Sequence, residues 1–440
     1  MTALFPETPA GYRVKLRDVS SDAPFTHRLD YNPPARGVWN IVHMGLQVPE
    51  SHMVFFCSVS CMRGVVLTAA EAGALERFSA LYLTENDLLA GDGERVVIEG
   101  VTELLQKLPK RPRAVLLYTN CLDSFMGLDH GVIYGALRAA FPDIGFMECF
   151  MCPTLRKGAL PPDPTMRKQL FSLLPAGEPR RRAVNFIGSN RPLPEQNELM
   201  GMLRAGGWDA MHLAECKTYG DYLRMAQSAY NILTNPLGEM AVSELESRLG
   251  QPAVRIPVSY EYAEIERGLR LAADALTLPL PDFAALRERC EAALARAKKA
   301  VGDTPVAVDY MATSRPFGLA KLLRGHGFAV ARVYADFCAE ADRPALEWLR
   351  ENAGEIEWFF PYNHSMAVLP RGNDGPFLAV GQDAAYFTGT NHFVNIVESD
   401  SIYGFHGVER LAALLEDAMA HEKDARRLIQ IKGLGCRCGA

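Results

Sequence analysis

Short apolar runs alternate with longer amphipathic stretches through most of the chain, and this alternation predicts its elements. Met53–Phe56 is continuously apolar and reads as a buried strand. After Arg63-Gly64 a run of helix formers, Val65–Tyr82, predicts a helix with Ala69, Ala70 and Leu75 on its inner side. Thr84–Glu94 is polar and reads as a loop. Val96–Leu108 sets Val97, Val101, Leu104, Leu105 and Leu108 near helical spacing, the mark of an amphipathic helix. A proline-marked turn then enters strand Ala114–Tyr118, helix Tyr134–Ala140 and strand Ile144–Phe150.

The pattern recurs twice. The basic, proline-bearing stretch 156–182 ends in Pro179-Arg-Arg-Arg and reads as a domain boundary. Beyond it, strands at Val184–Ile187, Ala210–Leu213, Asn231–Thr234 and Ala253–Ile256 alternate with helices Glu195–Ala205, Tyr219–Ala229 and Glu239–Leu249. Helices 260–275 and 283–301 lead to a third series, strands Pro305–Tyr310, Phe328–Tyr334, Ile356–Phe360, Phe377–Val380 and Phe393–Val397 with helices Gly318–Gly325 and Val408–His421. Strands alternating with helices imply parallel sheets. The expected fold class is α/β, with three Rossmann-like doubly wound parallel-sheet domains at 38–180, 181–301 and 302–440. Residues 1–37, polar and proline-bearing, read as an N-terminal arm.

Composition narrows the function. Hydrophobic residues make up 48% of the 440 and charged residues 22%, as in soluble globular proteins. The net charge of -6 argues against a nucleic-acid partner. No stretch reaches the roughly 18 uninterrupted apolar residues of a membrane span, and Met1–Asp18 lacks the apolar segment of a secretory signal. A cytoplasmic protein is expected, without a membrane partner. There the ten cysteines are reduced, which points to metal ligation, catalysis or core packing rather than disulfides. Neither G-x-G-x-x-G nor a G-x-x-x-x-G-K-[ST] phosphate loop occurs, so a nucleotide, if one takes part, is expected on a different polypeptide.

Three thiols follow predicted strands: Cys57 and Cys61 after the first, Cys121 after Ala114–Tyr118. Carboxyl ends of strands are where α/β sheets bind ligands, and thiolates are preferred ligands of iron–sulfur clusters and zinc. A structural zinc takes four protein ligands. Two or three thiolates suit a cluster at a subunit interface, completed by the partner. Core packing is the alternative for each thiol. Cys149 and Cys152 form a C-x2-C pair, and Cys436 and Cys438 a C-x-C pair in a Gly-rich tail; either pair reads as ligands or as ordinary structure. Cys216, Cys290 and Cys338 are isolated and read as structural. His43 reads as a ligand or as a helix-cap or core histidine. Asp123 and Asp129 follow Cys121 and either tune a cluster, ligate it or are simply solvated. His364, His392 and His406 lie at strand ends of the third series. Of these His392, in Thr-Gly-Thr-Asn-His, is the candidate proton donor or substrate contact. Arg315, in the loop after a strand, is the candidate contact for an anionic group.

The order strand, Cys57-x3-Cys61, long helix, Thr84-Glu-Asn-Asp, helix Val96–Leu108, strand and Cys121 resembles component 1 of nitrogenase. Cys61 and Cys121 are sixty positions apart, a separation similar to that of the second and third cluster cysteines in that superfamily. Met126-Gly-Leu-Asp129, Val184-Asn-Phe-Ile-Gly, Leu249-Gly-Gln-Pro and Tyr403-Gly-Phe-His-Gly resemble later family segments, so the likeness spans roughly residues 38–420. The family's first cluster cysteine is missing; His43 and Met44 lie nearest its place, and Cys57 is the candidate substitute. The nitrogenase subunit that carries the molybdenum–iron cofactor anchors it by one Cys and one His. The positions resembling those are near Asn235-Pro236 and Val394–Asn395, so both anchors are absent.

The resemblance therefore implies a subunit of a nitrogenase-like reductase, of the group that includes dark-operative protochlorophyllide reductase and the nickel-tetrapyrrole reductase. It implies an iron–sulfur cluster, 4Fe-4S or larger, on Cys57, Cys61 and Cys121. It also implies an ATP-dependent iron–sulfur reductase as electron donor and an identical or homologous second subunit. A small molecule or tetrapyrrole would be reduced between the Rossmann-like units, with His392 and Arg315 as contacts. A scaffold that holds a metal cluster during assembly, without turnover, is the alternative.

Overall fold

The computed structural model describes residues 11–19, 31, 33, 41–150, 161–177, 181–369, 375–399 and 402–430. In chain order the first elements are β1 (Arg13–Lys15), α1 (Ile41–Leu46), β2 (Ser51–Cys57), α2 (Met62–Glu71), β3 (Phe78–Tyr82), α3 (Glu85–Ala90), α4 (Gly93–Lys107), β4 (Ala114–Thr119), α5 (Cys121–Met126), α6 (His130–Ala140) and β5 (Gly145–Phe150). Next come α7 (Pro162–Gln169), β6 (Arg181–Ile187), α8 (Glu198–Ala205), β7 (Asp209–His212), α9 (Tyr219–Arg224), β8 (Ser228–Leu233), α10 (Glu239–Leu249) and β9 (Ala253–Arg255). The remainder is α11 (Tyr262–Leu276), α12 (Phe283–Val301), β10 (Val306–Asp309), α13 (Pro316–Gly325), β11 (Val330–Tyr334), α14 (Arg343–Asn352), β12 (Glu357–Phe359), β13 (Leu378–Val380), α15 (Gln382–Thr388), β14 (Phe393–Val394) and α16 (Gly404–Ala420).

The described strands form three sheets, ordered β3-β2-β4-β5, β7-β6-β8-β9 and β1-β12-β11-β10-β13-β14. Every pairing is parallel except that of β1 with β12. The fold is α/β with parallel-sheet domains. In the first sheet the chain runs from β2 outward to β3 and then returns to β4 on β2's other side. The neighbours β2 and β4 therefore flank the topological switch point, where loops diverge and leave a crevice at the strands' carboxyl ends.

The described residues of 39–192 and 203–257 form one compact unit, which holds the first two sheets. The period-2 alternation of β2 divides its side chains between two cores. Met53 and Phe55 join Tyr118, Met166, Leu170, Ile187, Leu233, Val242 and Leu245 in a core shared by both sheets. Val54 and Phe56 face Val97, Val101 and Leu105 of α4 and Ile133 and Leu137 of α6. Phe55 stacks on Tyr118 with ring centroids 4.2 Å apart, and Tyr118 Oη donates to the Ile41 carbonyl at 3.1 Å.

Two predicted elements differ. The helix expected over Val65–Tyr82 ends at Glu71, because Gly73 turns left-handed (φ 64°) and Phe78–Tyr82 pairs along β2 as an edge strand. Thr84–Glu94 contains helix α3, nucleated by a capping box: Thr84 Oγ1 accepts from Asp87 N–H, and Asp87 Oδ2 accepts from Thr84 N–H.

The second compact unit comprises Leu193–Met202 and the described residues of 1–38 and 258–440. Its core gathers Ala307, Tyr334, Phe359, Phe387 and Phe393. Arg13–Lys15, within the segment expected to be an arm, adds β1 to this sheet against Glu357–Phe359. No helix among the described residues is long and apolar enough to cross a membrane.

Candidate metal centre

The first sheet's switch point carries the thiols. Register pairs Phe55 of β2 with Tyr118 of β4, so the two loops leave one sheet edge side by side. The β2 loop makes a single 3₁₀ turn, Val59–Cys61, before α2. The β4 loop is shorter still: Asn120 caps α5, its Oδ1 accepting from Leu122 N–H at 2.9 Å, and Cys121 is the first helical residue. Cys61 is exposed and Cys121 is half-buried at this edge.

Cys57 is different. The alternation that buries Met53 and Phe55 buries it too, at 1% exposure, with its thiol directed at Met62 Sδ. Burial, with a lesser contribution from Cys61, pushes this thiol up to about 11, so it is protonated at neutral pH. Cys149 is fully buried in β5, and burial raises its thiol well above the ordinary range. Cys152, Cys436 and Cys438 lie outside the described residues. Cys290 and Cys338 are buried and Cys216 is half-buried. Asp129 caps α6, accepting from Val132 N–H at 3.1 Å.

Around Cys121 three buried polar atoms have no hydrogen-bond partner among the described residues: Thr119 Oγ1, Asn120 Nδ2 and Asp123 Oδ1. Such atoms are rare in native interiors because each forfeits its hydration uncompensated. Here three fall within five consecutive residues, next to a candidate ligand. The other oxygen of Asp123 is held: Oδ2 lies 2.8 Å from His130 Nε2, while His130 Nδ1 is 2.7 Å from Glu148 Oε1. The hydrogen bond to Asp123, then that to Glu148, lifts the imidazolium to about 10. Sequence reading singles out Asp123 but not its partners His130 and Glu148, because only the fold joins them.

A pH dependence follows. The folded pKa of His130 exceeds the unfolded value of about 6.5, so its stabilisation is complete below about 6.5 and is lost as pH rises through about 10. His130→Gln is expected to flatten the fall in urea-unfolding midpoint across that window. An unchanged slope in the variant would assign the fall to other groups.

The candidate substrate contacts lie in the other unit, each engaged by its own surroundings. Arg315 is buried; its Nη1 donates to Glu264 Oε2 at 2.6 Å and its Nη2 to the Ala341 carbonyl at 2.6 Å, and Asp342 lies 3.6 Å from Nε. His392 directs Nδ1 to the Ala418 carbonyl at 2.8 Å, tying β14 to the last turn of α16. His406 lies in the first turn of α16, with its N–H donating to Glu198 at 3.1 Å.

No three His, Cys, Asp or Glu side chains form a metal-holding group among the described residues. Cys61 and Cys121 carry the thiol chemistry that iron–sulfur clusters take as ligands and follow neighbouring strands of one sheet.

The family described as "Nitrogenase component 1 type Oxidoreductase" matches the chain over residues 42–423. Among solved structures, "Nitrogenase Cp1 at pH 6.5" is similar with a TM-score of 0.66 at 12% identity, over 92% of this chain and 95% of that one. "Nitrogenase Cp1 at pH 5" is similar with a TM-score of 0.56 at 13% identity, over 93% and 94%. At such identities the structural likeness carries the fold alone. No curated protein sequence matches the chain.

Proposed function

Because the chain belongs to the nitrogenase component 1 type oxidoreductases, we propose that it is a subunit of an iron–sulfur reductase whose cluster is shared with a second subunit. The observation that carries this reading is the set of orphaned buried atoms, Thr119 Oγ1, Asn120 Nδ2 and Asp123 Oδ1, around Cys121 at the switch point. Cys61 and Cys121 supply the thiolates from this chain. Asn120 and Thr119 offer N–H and O–H donors, and hydrogen bonds to cluster sulfurs tune potential. A bound cluster supplies the capacity to accept and store single electrons, which an ATP-dependent iron–sulfur protein delivers. The substrate is a small molecule or tetrapyrrole. Asn235 and Val394–Asn395 stand where the molybdenum–iron anchors are expected, so that cofactor is not part of the proposal.

The second subunit, identical or homologous, docks on the same edge. Val59, Tyr82, Leu89, Phe125 and Val132 follow the carboxyl ends of β2, β3 and β4 and are exposed, Leu89 at 87% and Phe125 at 76%. Exposed apolar residues gathered at one sheet edge mark an interaction surface. Phe125→Asp is expected to shift the assembly to monomer in sedimentation and to strip its iron. An assembly and iron content equal to wild type would refute the shared site.

A further inference from the structure

The opposite edge of the first sheet holds a second feature. There the amino ends of β2 and β3 and the turn after α1 face the segment following β7 across a cavity of about 420 Å³. Small-molecule sites span roughly 300–1,000 Å³. Its polar lining is His43, Gln47, Glu50, Arg77, Cys216 and Lys217, all in one compact unit.

The charges of this lining do not cancel. Arg77 gives Nε to the Ser51 carbonyl (3.1 Å), Nη1 to Leu46 (3.2 Å), and Nη2 to Val48 (2.7 Å) and Ser51 Oγ (2.8 Å). Carbonyls and a hydroxyl fix the guanidinium in place without neutralising it, and no carboxylate pairs with it among the described residues. A partly buried charge is normally paired. Lys217 is exposed on the facing wall, also without an ion pair among the described residues. The one acid is Glu50, whose Oε2 accepts the Tyr219 N–H at 2.7 Å. Its backbone is held left-handed at φ 53°, a strained conformation of the kind that collects at ligand clamps. Burial pushes the Cys216 thiol up to about 11, so it adds no negative charge at neutral pH.

We propose that this cavity binds a small organic anion bearing a carboxylate or phosphate group, with Arg77 and Lys217 as its charge partners. The site lies at the other end of the strands from Cys61 and Cys121, and it stands whether or not the chain holds a cluster.

The test is calorimetric titration of the full-length protein with succinate and, separately, inorganic phosphate at low ionic strength. Wild type is expected to bind one of the two saturably, and which one distinguishes a carboxylate from a phosphate ligand. Lys217→Glu, at an exposed position, should weaken binding about tenfold or more, the worth of one charge-assisted hydrogen bond. Glu50→Gln keeps an acceptor for Tyr219 N–H, removes the opposing charge and should tighten binding. No saturable binding of either probe, or wild-type affinity in Lys217→Glu, overturns the proposal.

Discussion

Replacing Cys121 by alanine is expected to empty the protein of iron, whereas replacing Cys290 by alanine leaves it loaded. The contrast rests on position. Cys121 opens α5 at the switch point of the first sheet, half-exposed, with Asn120 and Asp123 atoms beside it that have no partner among the described residues. Cys290 sits inside α12, fully buried, with its thiol donating to the Phe405 carbonyl at 3.2 Å. Loss of a thiolate removes a bond to iron that a water or neighbouring oxygen replaces poorly. Cys57→Ala separates the two readings of that thiol: retained iron leaves it as core, in keeping with its contact with Met62. Iron and acid-labile sulfide per chain, with absorbance near 400 nm, read all three variants. Equal iron in Cys121→Ala and wild type would remove this edge as the site.

Arg315→Met is expected to destabilise the protein by about 3–5 kcal/mol, the range for breaking a buried ion pair from one side. Asp342 is 0% exposed and accepts the Phe317 and Gly318 N–H groups at 2.8 Å, at the start of α13. Burial already lifts its carboxyl to about 6 despite these bonds and the guanidinium. Without Arg315 that carboxylate loses its cation, and the Ala341 carbonyl loses a charged donor. Urea unfolding monitored by circular dichroism reads the change. A variant of wild-type stability whose defect is confined to substrate affinity would instead make Arg315 a substrate contact.

Much of the fold is legible because its signals are local. Helices α10 and α12 fall where periodicity sets them, closed by Gly250 in the left-handed conformation and opened by Asp282, whose Oδ1 accepts from Ala284 and Ala285 N–H. The α/β class follows from alternation of strands and helices. What escapes is context-dependent. Phe78–Tyr82 looks helical in isolation and becomes a strand because β2 offers it an edge. Helix α15 is buried along its whole length, so it has no polar face to announce it.

The candidate site divides the same way. Thiols after strands are readable, and period-2 phasing of Cys57 with Met53 and Phe55 already points it inward. The Asp123–His130–Glu148 group is invisible in sequence, because helix α5, helix α6 and strand β5 bring it together. Arg315 reads as an anion contact, and its pairing with Glu264, fifty-one positions away, is made only by the fold.

Iron and sulfide analysis of the protein purified without oxygen tests the central claim most directly. A cluster on the Cys61/Cys121 edge predicts brown protein that absorbs near 400 nm and carries iron and sulfide in matching amounts. Colourless protein, still free of iron after anaerobic reconstitution with iron and sulfide, would contradict it.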